Sequence, residues 1–223
     1  MNKAICKMRF AALLLACGVL VGGCHGPAAV EDDTLVVGSL FDGKTLGRWQ
    51  AADFLDAGDV HVEDGRIILE KGEELTGIVW TGPVLRTNYE ISLEAMRVEG
   101  EDFFCGLTFP VGEDHCSLII GGWHGKVVGL SNIDLMDASE NATTILLDFE
   151  KNRWYAIRLR VTADRIIAWI DGDKVVDADI AGRIIDIRGS VEPCCPLGIA
   201  SWKTTAAVRN ITLRAIESAE KAD

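Results

Sequence analysis

Of the four histidines in this chain, His115 and His124 stand where other reactive groups collect. They are nine residues apart across an expected strand and turn, with Glu113, Asp114, Trp123, Asp134, Asp137 and Glu140 close by in sequence. Imidazole titrates near neutrality, so either histidine could act as a general base or as a ligand. Asp114 could accept a hydrogen bond from a bound hydroxyl. Trp123 could stack on the face of a sugar ring, and Trp202 could do the same from the far end of the chain. Gly121, Gly122 and Gly125 would let a ligand come close to the backbone. Each of these residues also has a plain structural explanation, because a loop histidine is ordinarily solvated and a tryptophan in a β-protein is ordinarily core. Asp134, Asp137, Glu140 and Asn141 offer oxygens to a calcium ion, but their spacing matches no calcium loop, so a solvated acidic loop is expected. The chain carries no Gly-x-Ser-x-Gly, phosphate loop, dinucleotide fingerprint or His-Glu-x-x-His motif.

The elements that must position these groups read as strands. From Arg153 to Val176, Tyr155, Ile157, Leu159 and Val161 alternate with Ala156, Arg158 and Arg160, the period of two of a strand with one buried face. A turn at 162–164 leads to Ile166, Ala168 and Ile170, and Asp171-Gly172 supplies a tight hairpin before Lys174–Val176. On this reading Arg158 and Arg160 form a wet sheet surface. Asp64-Gly65 divides another strand pair at 59–69. Tyr89, Ile91, Leu93 and Ala95 again alternate with polar neighbours, and 103–109 with 116–120 forms the next pair. Residues 121–148 are rich in Gly, Asn, Asp and Ser and predict long loops with one or two short strands. Strands at 197–202 and 207–216 close the domain. Many short strands without an amphipathic helix predict an all-β fold, a jelly-roll β-sandwich of two antiparallel sheets. No internal repeat supports a propeller.

The N-terminus reads as an address. Lys3, Lys7 and Arg9 precede the apolar run 10–21, and Val21-Gly22-Gly23-Cys24 resembles a lipobox whose cysteine becomes the lipidated N-terminus. The expected organisation is a signal peptide at 1–23, a tether at 24–34, one sandwich domain at 35–216 and a tail at 217–223. Multiple acyl chains on Cys24 would anchor an exported protein to the cell envelope, on the outer membrane or the periplasmic face. The net charge is −12, and removing the three cations of the signal takes it to −15. Such acidity argues against nucleic acid, whose phosphates need cations. Four cysteines remain after export: Cys105, Cys116, Cys194 and Cys195. A turn at Val111-Gly112 would set Cys105 opposite Leu118, which disfavours a direct cross-strand bridge. Free thiols and one disulfide between the two regions both stay open, and the spacing does not suit zinc.

Two ends of the domain resemble a known family. SLFDGKTLGRW at 39–49 is similar to the opening signature of the bacterial 3-keto-disaccharide hydrolase domains, and HVEDGRI at 61–67 resembles their next turn. RWYAIRLRVTADRIIAWIDGDKVVD resembles their strand and hairpin, while PLGIASW and AAVRNITLR resemble their ending. This resemblance implies a concanavalin-like fold, export, frequent lipidation and carbohydrate as partner. It implies action on glycosides oxidised at the 3-position by base-assisted elimination and hydration, with a divalent cation as a possible aid. On that basis His115 or His124 is the expected base and Arg209 the oxyanion partner, with Trp123, Trp202 and Asp114 binding substrate. The middle departs from the pattern, since the family's Gly-(Ile/Leu)-x-x-Arg strand is CGLTFP here and its polar Glu/Gln/Asp strand is the largely apolar DHCSLIIGGWHG. A non-catalytic glycan- or protein-binding module is therefore the alternative expectation.

Overall fold

The computed structural model describes residues 38–216. The predicted signal, the lipidation site Cys24, the whole tether, the first residues of the predicted domain (35–37) and the tail lie outside the described residues. In chain order the strands are β1 (Gly38–Ser39), β2 (Trp49–Ala51), β3 (Val60–Glu63), β4 (Arg66–Leu69), β5 (Leu75–Trp80), β6 (Tyr89–Glu99), β7 (Cys105–Val111) and β8 (Asp114–Gly121). A single turn at Gly122–Gly125 follows, then β9 (Val127–Ser131), β10 (Ile145–Leu146), β11 (Trp154–Val161), β12 (Arg165–Ile170) and β13 (Asp173–Asp179). A short 3-10 turn at Gly189–Cys194 precedes β14 (Gly198–Trp202) and β15 (Thr205–Ala215).

These strands form a concanavalin-like jelly-roll of two antiparallel sheets. The first runs β13-β12-β11-β6-β15-β4-β3, with β1 also on β15, and the second runs β10-β9-β8-β7-β14-β5-β2. The alternation in the sequence sets which side of each strand is dry. Tyr89, Ile91, Leu93 and Ala95 of β6 pair with Val161, Leu159, Ile157 and Tyr155 of β11 on the inner face, facing Leu107, Phe109, Leu118 and Ile120 of the second sheet. Both Asp-Gly hairpins take positive φ at both residues, 48° and 75° at Asp64-Gly65 and 52° and 91° at Asp171-Gly172, as the tight turn between right-twisted strands requires. The opening run caps the sandwich edge, with the buried Trp49 indole donating to the Leu40 carbonyl at 2.9 Å.

Two expectations are corrected in detail, the β7–β8 turn and Arg160, and of the two alternatives for the cysteines one is found. The β7–β8 turn is Gly112-Glu113, so Val111 still pairs, with Asp114; Cys105 faces Ile120 and Cys116 faces Phe109. All four cysteines described are free thiols, and burial pushes Cys105, Cys116 and Cys194 up to about 12. Arg160 is not a wet surface residue: it is 7% exposed and pairs with Glu90 at 3.2 Å.

Candidate functional site: an aromatic cleft on the outer face of the second sheet

On β8 the core takes Cys116, Leu118 and Ile120, which turns Ser117 and Ile119 outward. These two, with Ser131 of β9, lie under a cleft of about 390 Å3. Phe103, Trp123 and Trp202 bring aromatic rings to it, and Leu75 and Val191 add aliphatic surface. The polar lining comes from Glu74, Asp102, Arg188 and Ser190. One side is held by a small apolar cluster in which Phe103 and Trp202 pack on Val191, Cys194 and Leu75; on the other, Phe103 and Trp123 pack on Ile119 and Val127. A cleft of this size with converging rings and a few fixed polar groups suits a small polyhydroxylated ligand.

The acidic segment with Asp134, Asp137 and Asn141 braces the loops beside the cleft. Asp134 accepts from the Ile184 N–H at 2.9 Å and pairs with Arg183 at 2.7 Å, which holds its carboxyl below the usual range. Asp137 pairs with Arg188 at 2.9 Å and so fixes a cleft cation. The Asn141 amide donates to the carbonyls of Leu130, Met136 and Asp137. These oxygens are spent on loop structure. Among the described residues, no three His, Cys, Asp or Glu come together to hold a metal ion. In the cleft both Asp102 oxygens accept backbone N–H groups, Oδ1 from Phe103 at 2.8 Å and Oδ2 from His124 at 3.3 Å. The donor set present does not fit a divalent cation.

The structure gathers some of the sequence-derived site residues and separates others. Trp123 and Trp202 share the cleft, and exposed His124 follows Trp123 at its rim. His115 lies toward the end of β8 remote from the Trp123–His124 turn, about 20 Å from that turn along the strand, and is not among the residues lining the cleft. Asp114 is exposed beside it, also outside the cleft lining. Arg209 belongs to the first sheet, where it pairs with Glu94 at 2.7 Å and stacks on Trp154 at 4.0 Å. His115, His124 and Arg209 therefore do not converge. The bulge in β15 around Asn210 (φ 53°) keeps Arg209 and Asn210 both on Glu94, a local feature that a strand motif does not reveal. Asp102, Phe103, Glu74 and Arg188 were not found from sequence, because nothing in their spacing marks them as neighbours.

His115 carries a different signature. Its Nε2 is buried without a hydrogen-bond partner. Burial and then the Arg86 charge lower its pKa below 6.5, against the opposing pull of Asp114. A histidine whose pKa is lowered on folding binds its proton better when unfolded, so stability should fall as pH drops below about 6.5 and level off below the folded value. Urea midpoints of the wild type and His115→Gln, measured at about pH 7.5 and about pH 5.5, should diverge, with the variant losing less on acidification. Equal losses would show that His115 does not titrate with folding.

A family model described as a 3-keto-alpha-glucoside-1,2-lyase-like domain matches residues 37–214. No curated protein matches the chain in sequence. Among solved structures, a protein from Parabacteroides distasonis assigned as a glycosyl hydrolase is 13% identical with a TM-score of 0.52, over 85% of this chain and 99% of that one. A structure from work on endo-acting O-glycanases of the human gut microbiota is 11% identical with a TM-score of 0.51, over 76% of this chain and 92% of that one. A sialidase is 9% identical with a TM-score of 0.53, over 81% of this chain and 18% of its own. At these identities the likeness is one of fold.

Proposed function

The chain belongs to the family of 3-keto-alpha-glucoside-1,2-lyase-like domains, and from that premise we propose that it binds a 3-keto-glycoside in the Trp123–Trp202 cleft and cleaves it by elimination. The observation that carries this reading is the meeting of two indoles, Phe103 and the Arg188 guanidinium in one cleft. A ketone at C3 acidifies the C2–H bond. A base takes that proton, the electron pair forms the C1=C2 bond, and the C1–O bond breaks as the departing oxygen gains a proton. Water then adds across the double bond, oxygen to C1 and hydrogen to C2, so the sequence is redox-neutral. His124, at the rim and tied through its backbone to Asp102, keeps the role of base. Arg188 takes the oxyanion role that sequence alone gave to Arg209, because a cation beside the C3 oxygen stabilises the charge that develops there. Glu74 is placed to meet a sugar hydroxyl.

Purified protein lacking residues 1–24 should release the aglycone from a 3-keto-glucoside, and His124→Gln should slow release about 100-fold or more. Absence of turnover, with and without added divalent cation, would overturn the enzymatic reading. A second reading, a glycan-binding module, is favoured by the apolar character of the lining and by the commitment of Asp102 to backbone. It predicts saturable binding of the same glycoside, lost in Trp123→Ala, without release.

We also propose export and anchoring through acylated Cys24, supported by the Val21-Gly22-Gly23-Cys24 run. Cys24→Ser should shift the full-length protein from the membrane fraction to the soluble one; unchanged fractionation would refute the anchor.

A further inference from the structure

The turn that presents Trp123 is an unfavourable one for its sequence. Trp123 (φ 45°, ψ 71°) and His124 (φ 64°, ψ 33°) are both left-handed, a conformation that L side chains adopt at a cost. Consecutive residues of this kind persist only where surrounding bonds fix them. Two side chains from outside the turn supply those bonds.

The first is Arg97. By the period of β6 it follows Tyr89, Ile91, Leu93 and Ala95 on the inner face of the first sheet, where an apolar residue is expected, and it is 5% exposed. Its guanidinium lies against the Phe104 ring, 5.2 Å from its centroid. One terminal nitrogen donates to the Gly121 carbonyl at 3.3 Å and the Gly125 carbonyl at 3.1 Å, the two ends of the turn; the other donates to Phe149 at 3.4 Å. The two glycines are shaped to this cation. Both have positive φ, and a Cβ on Gly121 would come within 2.6 Å of the guanidinium and one on Gly125 within 3.2 Å. The second side chain is Asp102, whose oxygens hold the N–H groups of Phe103 and His124. Asp102 is itself tied down, its N–H donating to the Thr204 hydroxyl at 3.2 Å.

We infer that Arg97, acting with Asp102, is a positioning residue: from inside the sandwich it fixes the left-handed turn that aims Trp123 at the cleft, and so sets affinity for the saccharide. This rests on the reading of the cleft as a saccharide site. Arg97 touches no substrate. Removing it should loosen the turn that carries both Trp123 and His124.

Two readouts separate this inference from the reading beneath it. In 15N-labelled protein, six indole N–H resonances are expected, one per tryptophan, and Trp123→Phe identifies one of them. Arg97→Met should shift or broaden the Trp123 resonance while those of Trp49 and Trp80, deep in the core, stay in place and report an intact fold. Asp102→Asn, which retains one acceptor oxygen, should perturb the same resonance with less demand on the core. In turnover of a 3-keto-glucoside, both variants should raise KM about tenfold and lower kcat with it, because the turn carries the base His124 as well as Trp123. A folded Arg97→Met or Asp102→Asn protein with an unmoved Trp123 resonance and wild-type KM would overturn the inference. If wild-type protein neither binds nor cleaves the glucoside, the saccharide reading fails, and the resonance alone then decides whether the pair holds the turn.

Discussion

Arg188→Met should lower kcat on a 3-keto-glucoside by about 100-fold or more while leaving KM within a few-fold. The expectation follows from where charge appears. The ketone is neutral in the ground state and its oxygen becomes anionic as the C2 proton leaves, so a fixed cation there strengthens its hold as the reaction proceeds. Arg188 is the cation in the cleft lining, and its pairing with Asp137 orients it before substrate arrives. Methionine keeps the length of the stem and removes the charge. Arg209→Met provides the contrast, because Arg209 lies on the other sheet against Glu94 and Trp154 and should leave turnover close to wild type. A reversal, with Arg209→Met silent enzyme and Arg188→Met active, would return the oxyanion role to the residue chosen from sequence and discredit the cleft.

The contrast between these two arginines shows what a sequence can and cannot convey here. Strand periodicity depends on neighbours along the chain, so β6, β11 and β12 and the two Asp-Gly hairpins were legible residue by residue. The family resemblance was legible for the same reason, since its motifs are short runs at the two ends of the domain. The cleft joins groups from 74, 102–103, 117–131, 188–191 and 202, and only sheet order brings them together. Trp123 and Trp202 were found by chemistry alone, with no signal that they would share a cleft. Arg97 did leave a signal: it interrupts the inward alternation of Tyr89, Ile91, Leu93 and Ala95, and a charge at a core position calls for a partner. Arg160 left none, because an arginine on the outward side of a strand reads as solvated whether or not its neighbours cover it.

That covering makes Glu90 the residue whose loss should cost the fold most. Glu90 sits on central strand β6 directly between Arg160 of β11 and Arg214 of β15, its cross-strand partners on either side. Its carboxylate is 5% exposed and accepts from Arg160 at 3.2 Å, Arg214 at 3.0 Å and Arg158 at 3.4 Å. Arg158 in turn stacks on Trp169 at 3.7 Å, so the guanidiniums are held as a layer over the sheet. Cross-strand pairs of opposite charge stabilise modestly when wet, but here the acid and Arg160 are both buried. Removing one partner of a buried ion pair strands the other, at a cost of about 3 kcal/mol or more. Glu90→Ala should therefore lower the unfolding free energy by about 3 kcal/mol in urea titrations, with Glu90→Gln retaining part of it through neutral hydrogen bonds. Glu94→Gln, four residues along the same strand, should cost only about 1 kcal/mol, because the Glu94–Arg209 pair is about one-third exposed and water screens it. Equal small losses at both positions would mean that the arginine layer is a solvated surface after all, and that the first sheet owes its cohesion to the inner face alone.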